Sequence, residues 1–210
     1  MVDLTIIAGL VIEGEEEEVK KLVQQAITEG ATPDKVLKEG LIAGMNVVGE
    51  RMKKREIFLP EVMRSANAMG TGMGLLTPLL ETGGLSLGPK LVLGTVKGDV
   101  HDIGKNLVGM MLKGAGFEVV DLGIDVPAER FVQAVGEQKA KVLGMSALLT
   151  TTMPEMTNTI EALKAAGLRE KVKVIVGGAP VSSEYANKIG ADGYARDAAR
   201  AVDKVRELIQ

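Results

Sequence analysis

Apolar residues at Val19, Leu22, Val23 and Ile27 recur at the spacing of one helix face, which predicts a helix over residues 15–27. The run of glutamates at 15–18 suits the first turn of that helix, where the macrodipole favours negative charge, and is otherwise a solvated surface. Gly30 is placed to end it, and Thr32 with Pro33 reads as the cap and first position of the next helix. Val36, Leu37, Leu41, Met45 and Val48 carry that second pattern over residues 34–51. Pro60 opens a third, through Val62, Met63, Ala66 and Met69 to residue 80, with Pro78 expected to kink its end. The expected product is a small bundle of about four helices.

A stretch rich in glycine and ending in proline, ETGGLSLGP, follows and reads as a linker. Beyond it the pattern changes to short apolar runs alternating with helical stretches. Strands are expected at 90–95, 118–121, 141–145, 173–176 and near Gly193. Helices are expected at 103–115, 128–138, 153–166, 182–189 and 197–209. Such alternation implies a parallel sheet covered on both faces. The fold class is therefore α/β: an N-terminal helical-bundle cap (1–83), a linker (84–89) and a flavodoxin-like, doubly wound domain with a five-stranded parallel sheet (90–210). Ligands of such domains sit at the carboxyl ends of the strands.

The 210 residues carry a formal charge of -3 with both signs mixed along the chain, and nothing in that balance points to nucleic acid or a membrane surface. There is no cysteine, which excludes a disulfide framework, a cysteine metal site and a thiol nucleophile. The opening MVDLTIIAGLVIEGEEEE lacks the basic start and cleavage site of a signal peptide, and no apolar run reaches the ~18 residues of a membrane span, so a cytoplasmic protein is expected. Methionine is frequent at eleven residues while there is no Trp, two Tyr and three Phe. Methionine fills irregular cores and adapts to partner surfaces, and most of these are expected in the core.

The chain has one histidine, His101, so any metal or acid–base chemistry near neutral pH centres on it. It lies in the turn Gly98-Asp99-Val100-His101-Asp102-Ile103-Gly104, between the first expected strand of the α/β domain and a helix. A carboxylate two residues earlier can accept from one ring nitrogen and leave the other for a metal. Glycines at 98 and 104 let a flat ligand approach the backbone. Taken alone, His101 reads more readily as an exposed residue of a polar helix-start loop.

Asp99-x-His101-x-x-Gly104 resembles the D-x-H-x-x-G signature of cobalamin-binding domains. Ser146-x-Leu148 follows after 41 intervening residues and Gly177-Gly178 after 28 more, the family's order and spacing. GLIAGMNVVGERM and EIFLPEVMRSANAM in the first half resemble the helical cap of methionine synthase and of small corrinoid proteins. The resemblance spans nearly the whole chain and is strongest to the corrinoid proteins of methylamine, methanol and related methyltransferase systems.

That resemblance implies a corrinoid cofactor, cobalamin or a relative, whose benzimidazole tail leaves cobalt and inserts into the domain while His101 becomes the lower ligand. Asp99 and Thr152 would complete a ligand relay with His101. Thr152 stands where the family ends its relay in a hydroxyl. Ser146 would hydrogen-bond the tail nitrogen, and Leu148, Gly177 and Gly178 would line its tunnel, with Tyr194 flanking it. Gly98, Val100, Asp102, Ile103, Gly104 and Thr150 are implied contacts of the corrin rim or phosphate. Phe58 matches an aromatic over the upper corrin face, with ordinary core packing as its alternative.

The implied function is a methyl shuttle through Co(I) and methyl–Co(III), a subunit of a methyltransferase system that is not catalytic alone. Implied partners are a substrate-specific methyltransferase, a second methyltransferase with a tetrahydrofolate or thiol acceptor, and a reductive activation protein, with no nucleic acid and no membrane. The helical cap is expected to cover the cobalt face, hinged at 83–88. A mutase subunit would normally bring a barrel domain, a B12 sensor a DNA-binding module, and a cobalt-free receiver domain would leave the three-part motif unexplained.

Overall fold

In the computed structural model, which describes residues 2–83 and 88–210, the chain divides into two compact units. One holds residues 1–88 with 113–117, and the other holds 89–112 with 118–210. Of the expected linker and hinge, residues 84–87 lie outside the described residues. Among the described residues no helix is long and apolar enough to cross a membrane.

The N-terminal unit contains α1 (Leu4–Glu13), α2 (Glu16–Thr28), α3 (Pro33–Lys35), a π-helical segment (Val36–Ile42), α4 (Ala43–Lys53) and α5 (Leu59–Thr82). Two of these depart from the sequence pattern. The first is α1, where apolar residues surround the axis, so no periodic stripe marks it. Its ends are nonetheless well defined: Asp3 accepts from Thr5 N at 2.9 Å, and Gly14 closes it with φ 76°. The second is the helix expected over 34–51, which contains the π segment and is continued by α4. Gly40 lies in that segment, where an added Cβ would stand 3.1 Å from Ile7 Cγ2, so a larger residue there would crowd α1. Pro78 does not end its helix, which runs on to Thr82. The unit's core is built from Ile7, Val11, Val19, Val23, Leu41, Val48, Val62 and Leu76, all fully buried.

The second unit has five parallel strands, β1 (Lys90–Thr95), β2 (Glu118–Asp121), β3 (Val142–Ser146), β4 (Lys173–Gly177) and β5 (Gly193–Ala195), in the order β2-β1-β3-β4-β5. The helices between and after them are α6 (Ile103–Gly114), α7 (Ala128–Gln138), α8 (Pro154–Ala165), α9 (Ser183–Ile189) and α10 (Ala198–Leu208). Central β1 and β3 read as continuous apolar runs because both their faces are covered, while edge strand β2 is only half-buried. Val92, Leu143, Val174 and Val176 point to one face, where Phe131 of α7, Met156 and Ile160 of α8 and Ile189 of α9 close the core. Leu93, on the other face, meets Gly109 of α6. The methionines divide: Met45, Met69, Met111, Met145 and Met156 are buried, whereas Met63 is exposed.

The strand order reverses between β1 and β3, which opens a crevice at their carboxyl ends. Thr95 pairs with Ser146, Ser146 with Gly177, and Gly177 with Ala195, so one row across the sheet forms the floor of that crevice.

Candidate functional site

Asp99 organises the crevice. It is fully buried in the turn after β1, and its carboxylate accepts five hydrogen bonds. Oδ1 takes the His101 backbone N–H at 3.1 Å and faces His101 Nδ1 at 2.7 Å. Oδ2 takes Leu148 N at 2.7 Å, Leu149 N at 3.2 Å and Thr152 Oγ1 at 2.8 Å. The two-residue spacing of Asp99 and His101 is the local reason for the first pair of bonds: an aspartate readily accepts the backbone N–H two positions on, which brings the ring at that position against the same oxygen.

Burial pushes the Asp99 carboxyl up, but the bonds from His101, Leu148 and Thr152 together outweigh it and hold the group well below the usual carboxylate range. An ionised Asp99 can only accept, so the proton in its contact with His101 sits on Nδ1. In the neutral ring Nε2 then carries the lone pair, and among the described residues it takes no hydrogen bond. The His101 side chain is 46% exposed. Val100, Leu148 and Leu149 from loops and Ile103 at the start of α6 are exposed apolar side chains.

This arrangement fits the implied corrinoid. Among the described residues no three His, Cys, Asp or Glu side chains gather to hold a metal. A single oriented imidazole instead suits a metal that arrives with its own equatorial ligands, and the exposed apolar side chains suit the underside of a macrocycle. Gly104, in the first turn of α6, has no atom within 4 Å of where a Cβ would stand, so that face is open.

The other expected residues divide. Gly98, with φ 79°, makes the turn, and its N–H donates to Asp125 Oδ1 at 2.7 Å. Asp102 accepts from Asn106 Nδ2 at 3.0 Å, and Thr150 is exposed beside Leu149. Ser146 lies at the end of β3 with Oγ 2.9 Å from Thr95 Oγ1. Gly177 and Gly178 both lie close to neighbouring main chain. A Cβ on Gly178 would stand 1.9 Å from Ala147 O, and one on Gly177 would stand 2.9 Å from Ala195 O. The neighbouring strands themselves require both glycines. Tyr194 pairs with Val176 in the sheet and packs on the core. Phe58 belongs to the N-terminal unit and is 65% exposed, which excludes ordinary core packing.

Sequence reasoning missed Thr95, Leu149, Asp125 and Lys105. Thr95 carried a signal, a hydroxyl closing an apolar strand run. Lys105 is buried and pairs with Asp121 and Asn106, tying α6 to the end of β2. The backbone N–H of Leu149 leaves no mark in the residue types.

The B12 binding domain family matches residues 89–203, and a second family of the same description matches residues 5–77. The chain is 47% identical to dimethylamine corrinoid protein 1 of Methanosarcina acetivorans over 204 residues, covering 97% of this chain and 95% of that one. A crystal structure of a cobalamin-binding protein from Desulfitobacterium hafniense superposes with TM-score 0.81 at 34% identity, covering all of both chains. The methanol:cobalamin methyltransferase complex of Methanosarcina barkeri contains a chain that superposes with TM-score 0.83 at 35% identity, covering 97% of this chain and 83% of that one.

Proposed function

We propose, from the premise that this chain belongs to the corrinoid proteins built on B12 binding domains, that it holds its corrinoid with the base off and His101 as lower ligand, and ferries methyl groups between two methyltransferases. When bound, the corrinoid would supply the methyl-transfer chemistry through its cobalt, between the Co(I) and Co(III) levels. The observation that carries this reading is the buried, ionised Asp99, which places the His101 proton on Nδ1 and leaves Nε2 to ligate.

The protein's own residues hold, orient and shield. Asp99 favours positive charge on the ring as His101 donates to cobalt, and Thr152 supports the far oxygen of that carboxylate. Gly98, Val100, Asp102, Ile103, Gly104 and Thr150 form the seat of the corrin rim or phosphate, and Leu148 lines the tunnel of its tail. Ser146 receives the displaced tail at the floor of the crevice, between Gly177-Gly178 and Tyr194. Phe58, exposed on the N-terminal unit, is the apolar side chain that the resemblance assigns to a corrin face. The donor methyltransferase selects the substrate, the second delivers the methyl group to a tetrahydrofolate or thiol acceptor, and a reductive activator returns oxidised cobalt to service.

The test is a visible spectrum of the protein loaded with hydroxocobalamin, beside His101→Ala. The wild type is expected to retain about one corrinoid per chain with a histidine-ligated spectrum. The variant should keep its fold, because the ring is half-exposed and Asp99 retains its other donors. Its bound corrinoid should lose the histidine signature, and its affinity should fall by about tenfold or more, as for loss of a metal ligand or its support. Identical spectra in both proteins would remove His101 from the metal.

A further inference from the structure

The hydroxyl of Thr95 lies between two groups that the proposed function keeps separate. Thr95 is fully buried at the end of β1. Its Oγ1 donates to the backbone carbonyl of His101 at 3.0 Å and lies 2.9 Å from Ser146 Oγ. A hydroxyl has one proton, and a carbonyl can only accept. The Thr95 proton is therefore committed to His101, and in the second contact Ser146 must be the donor. A directed chain runs from Ser146 through Thr95 to His101 C=O. The amide N–H of the same residue is held by Asp99, so His101 is gripped at both its amide and its carbonyl. Bonds in such a chain polarise one another, and removing the first weakens the second.

The geometry points to Thr95 as a positioning residue that makes the grip on the His101 main chain compete with whatever accepts a hydrogen bond from Ser146. Ser146 has one proton as well. If it turns to a nitrogen acceptor at the crevice floor, Thr95 loses the bond it receives, and its hold on His101 slackens. With no acceptor at Ser146, the chain stays intact and His101 is held firmly. Binding of a nitrogenous tail and release of the metal-ligating segment are thereby linked through a single proton. This inference rests on the corrinoid reading, with His101 on cobalt and a tail at Ser146.

The test compares Thr95→Val, which keeps the shape and removes the hydroxyl, with Thr95→Ser, which keeps the hydroxyl. Each is titrated with hydroxocobalamin and with diaquocobinamide, a corrinoid lacking the nucleotide tail, and Co(II) electron paramagnetic resonance reads nitrogen ligation to cobalt. In Thr95→Val the cobinamide complex loses the chain that steadies His101, so its affinity should fall and its nitrogen splitting should broaden. Cobalamin should lose less, because the freed Ser146 proton goes wholly to the tail. The ratio of cobalamin to cobinamide affinity should rise by roughly threefold to tenfold, the range of one neutral hydrogen bond, and Thr95→Ser should restore it. An unchanged or lowered ratio in Thr95→Val overturns the inference and leaves Thr95 a packing residue. If Thr95→Val does not melt cooperatively, Thr95→Cys, a weaker donor of similar size, is read against the same ratio. Wild-type protein that holds neither corrinoid removes the corrinoid reading itself, whereas wild type that holds both with no shift in the variant removes only the role of Thr95.

Discussion

Gly178→Ala is expected to destabilise the α/β unit by about 3–5 kcal/mol, among the largest losses for a single added methyl group. Gly178 has φ 124°, a backbone conformation that residues with a Cβ rarely adopt. The new Cβ would meet main chain rather than a movable side chain, 1.9 Å from Ala147 O and 2.9 Å from Ala147 C. Relief requires the chain leaving β4 to move away from the chain leaving β3, where Ala147 N donates to Gly177 O at 3.2 Å. Leu148 and Leu149, which follow directly, would carry their N–H groups away from Asp99. The melting temperature should fall by roughly 10 °C or more for a domain of this size, and urea denaturation should show the same loss. A loss under about 1 kcal/mol would mean that the strands part more freely than their geometry implies.

Gly104→Ala should behave in the opposite way. Nothing lies within 4 Å of its added methyl, so the apoprotein should keep its stability to within about 0.5 kcal/mol. If a corrin ring rests there, the same methyl group should weaken hydroxocobalamin binding. Equal affinity in variant and wild type would move the ring away from Gly104. The two glycines look alike in a motif and differ in what surrounds them.

The same distinction explains how much was legible in the sequence. β1, β2 and α7 were readable residue for residue because apolar runs of strand length are bounded by turn residues, and because α7 has a clean helical stripe. The apolar surround of α1 hid its periodicity, and the π segment was hidden because one extra residue per turn does not disturb an apolar stripe over so short a stretch. At the site, the Asp99–His101 pair could be derived from spacing alone. Thr152 lies 53 residues from Asp99, and only the family resemblance joined them. Leu149 joins through its backbone, which residue type does not record, whereas Thr95, a hydroxyl closing an apolar strand run, joins through the strand register. The glycines at 177 and 178 were expected to line a tunnel, and the structure adds a second demand, the main chain of Ala195 and Ala147 close to where their Cβ atoms would stand.

Asp99→Asn is expected to remove histidine ligation while leaving His101 in place. The carboxylate accepts at both oxygens, and asparagine replaces one of them with an NH2 donor. With the NH2 at the Oδ2 position, two backbone donors, Leu148 and Leu149, lose their acceptor and the Thr152 hydroxyl must turn away. At the Oδ1 position only one backbone donor, His101 N, loses its acceptor, so this orientation costs less. There the amide donates to Nδ1, 2.7 Å away in the wild type, and the ring proton must move to Nε2. A protonated Nε2 has no lone pair for cobalt. The variant should therefore bind hydroxocobalamin without nitrogen splitting in its Co(II) spectrum, and should resemble His101→Ala in spectrum but not in stability. It should lose about 2–4 kcal/mol, one to two buried polar groups left unpaired, where His101→Ala loses little. The sign of the pH dependence follows from the depressed carboxyl. A group whose folded value is lowered contributes stability that is fully present above the unfolded value of about 3.9 and is lost as pH falls through the folded one. The contribution of the Asp99 carboxylate should thus be lost only in strong acid, where the gap between wild type and Asp99→Asn narrows. A variant that kept its histidine-ligated spectrum would show that the buried carboxylate does not set the tautomer of His101.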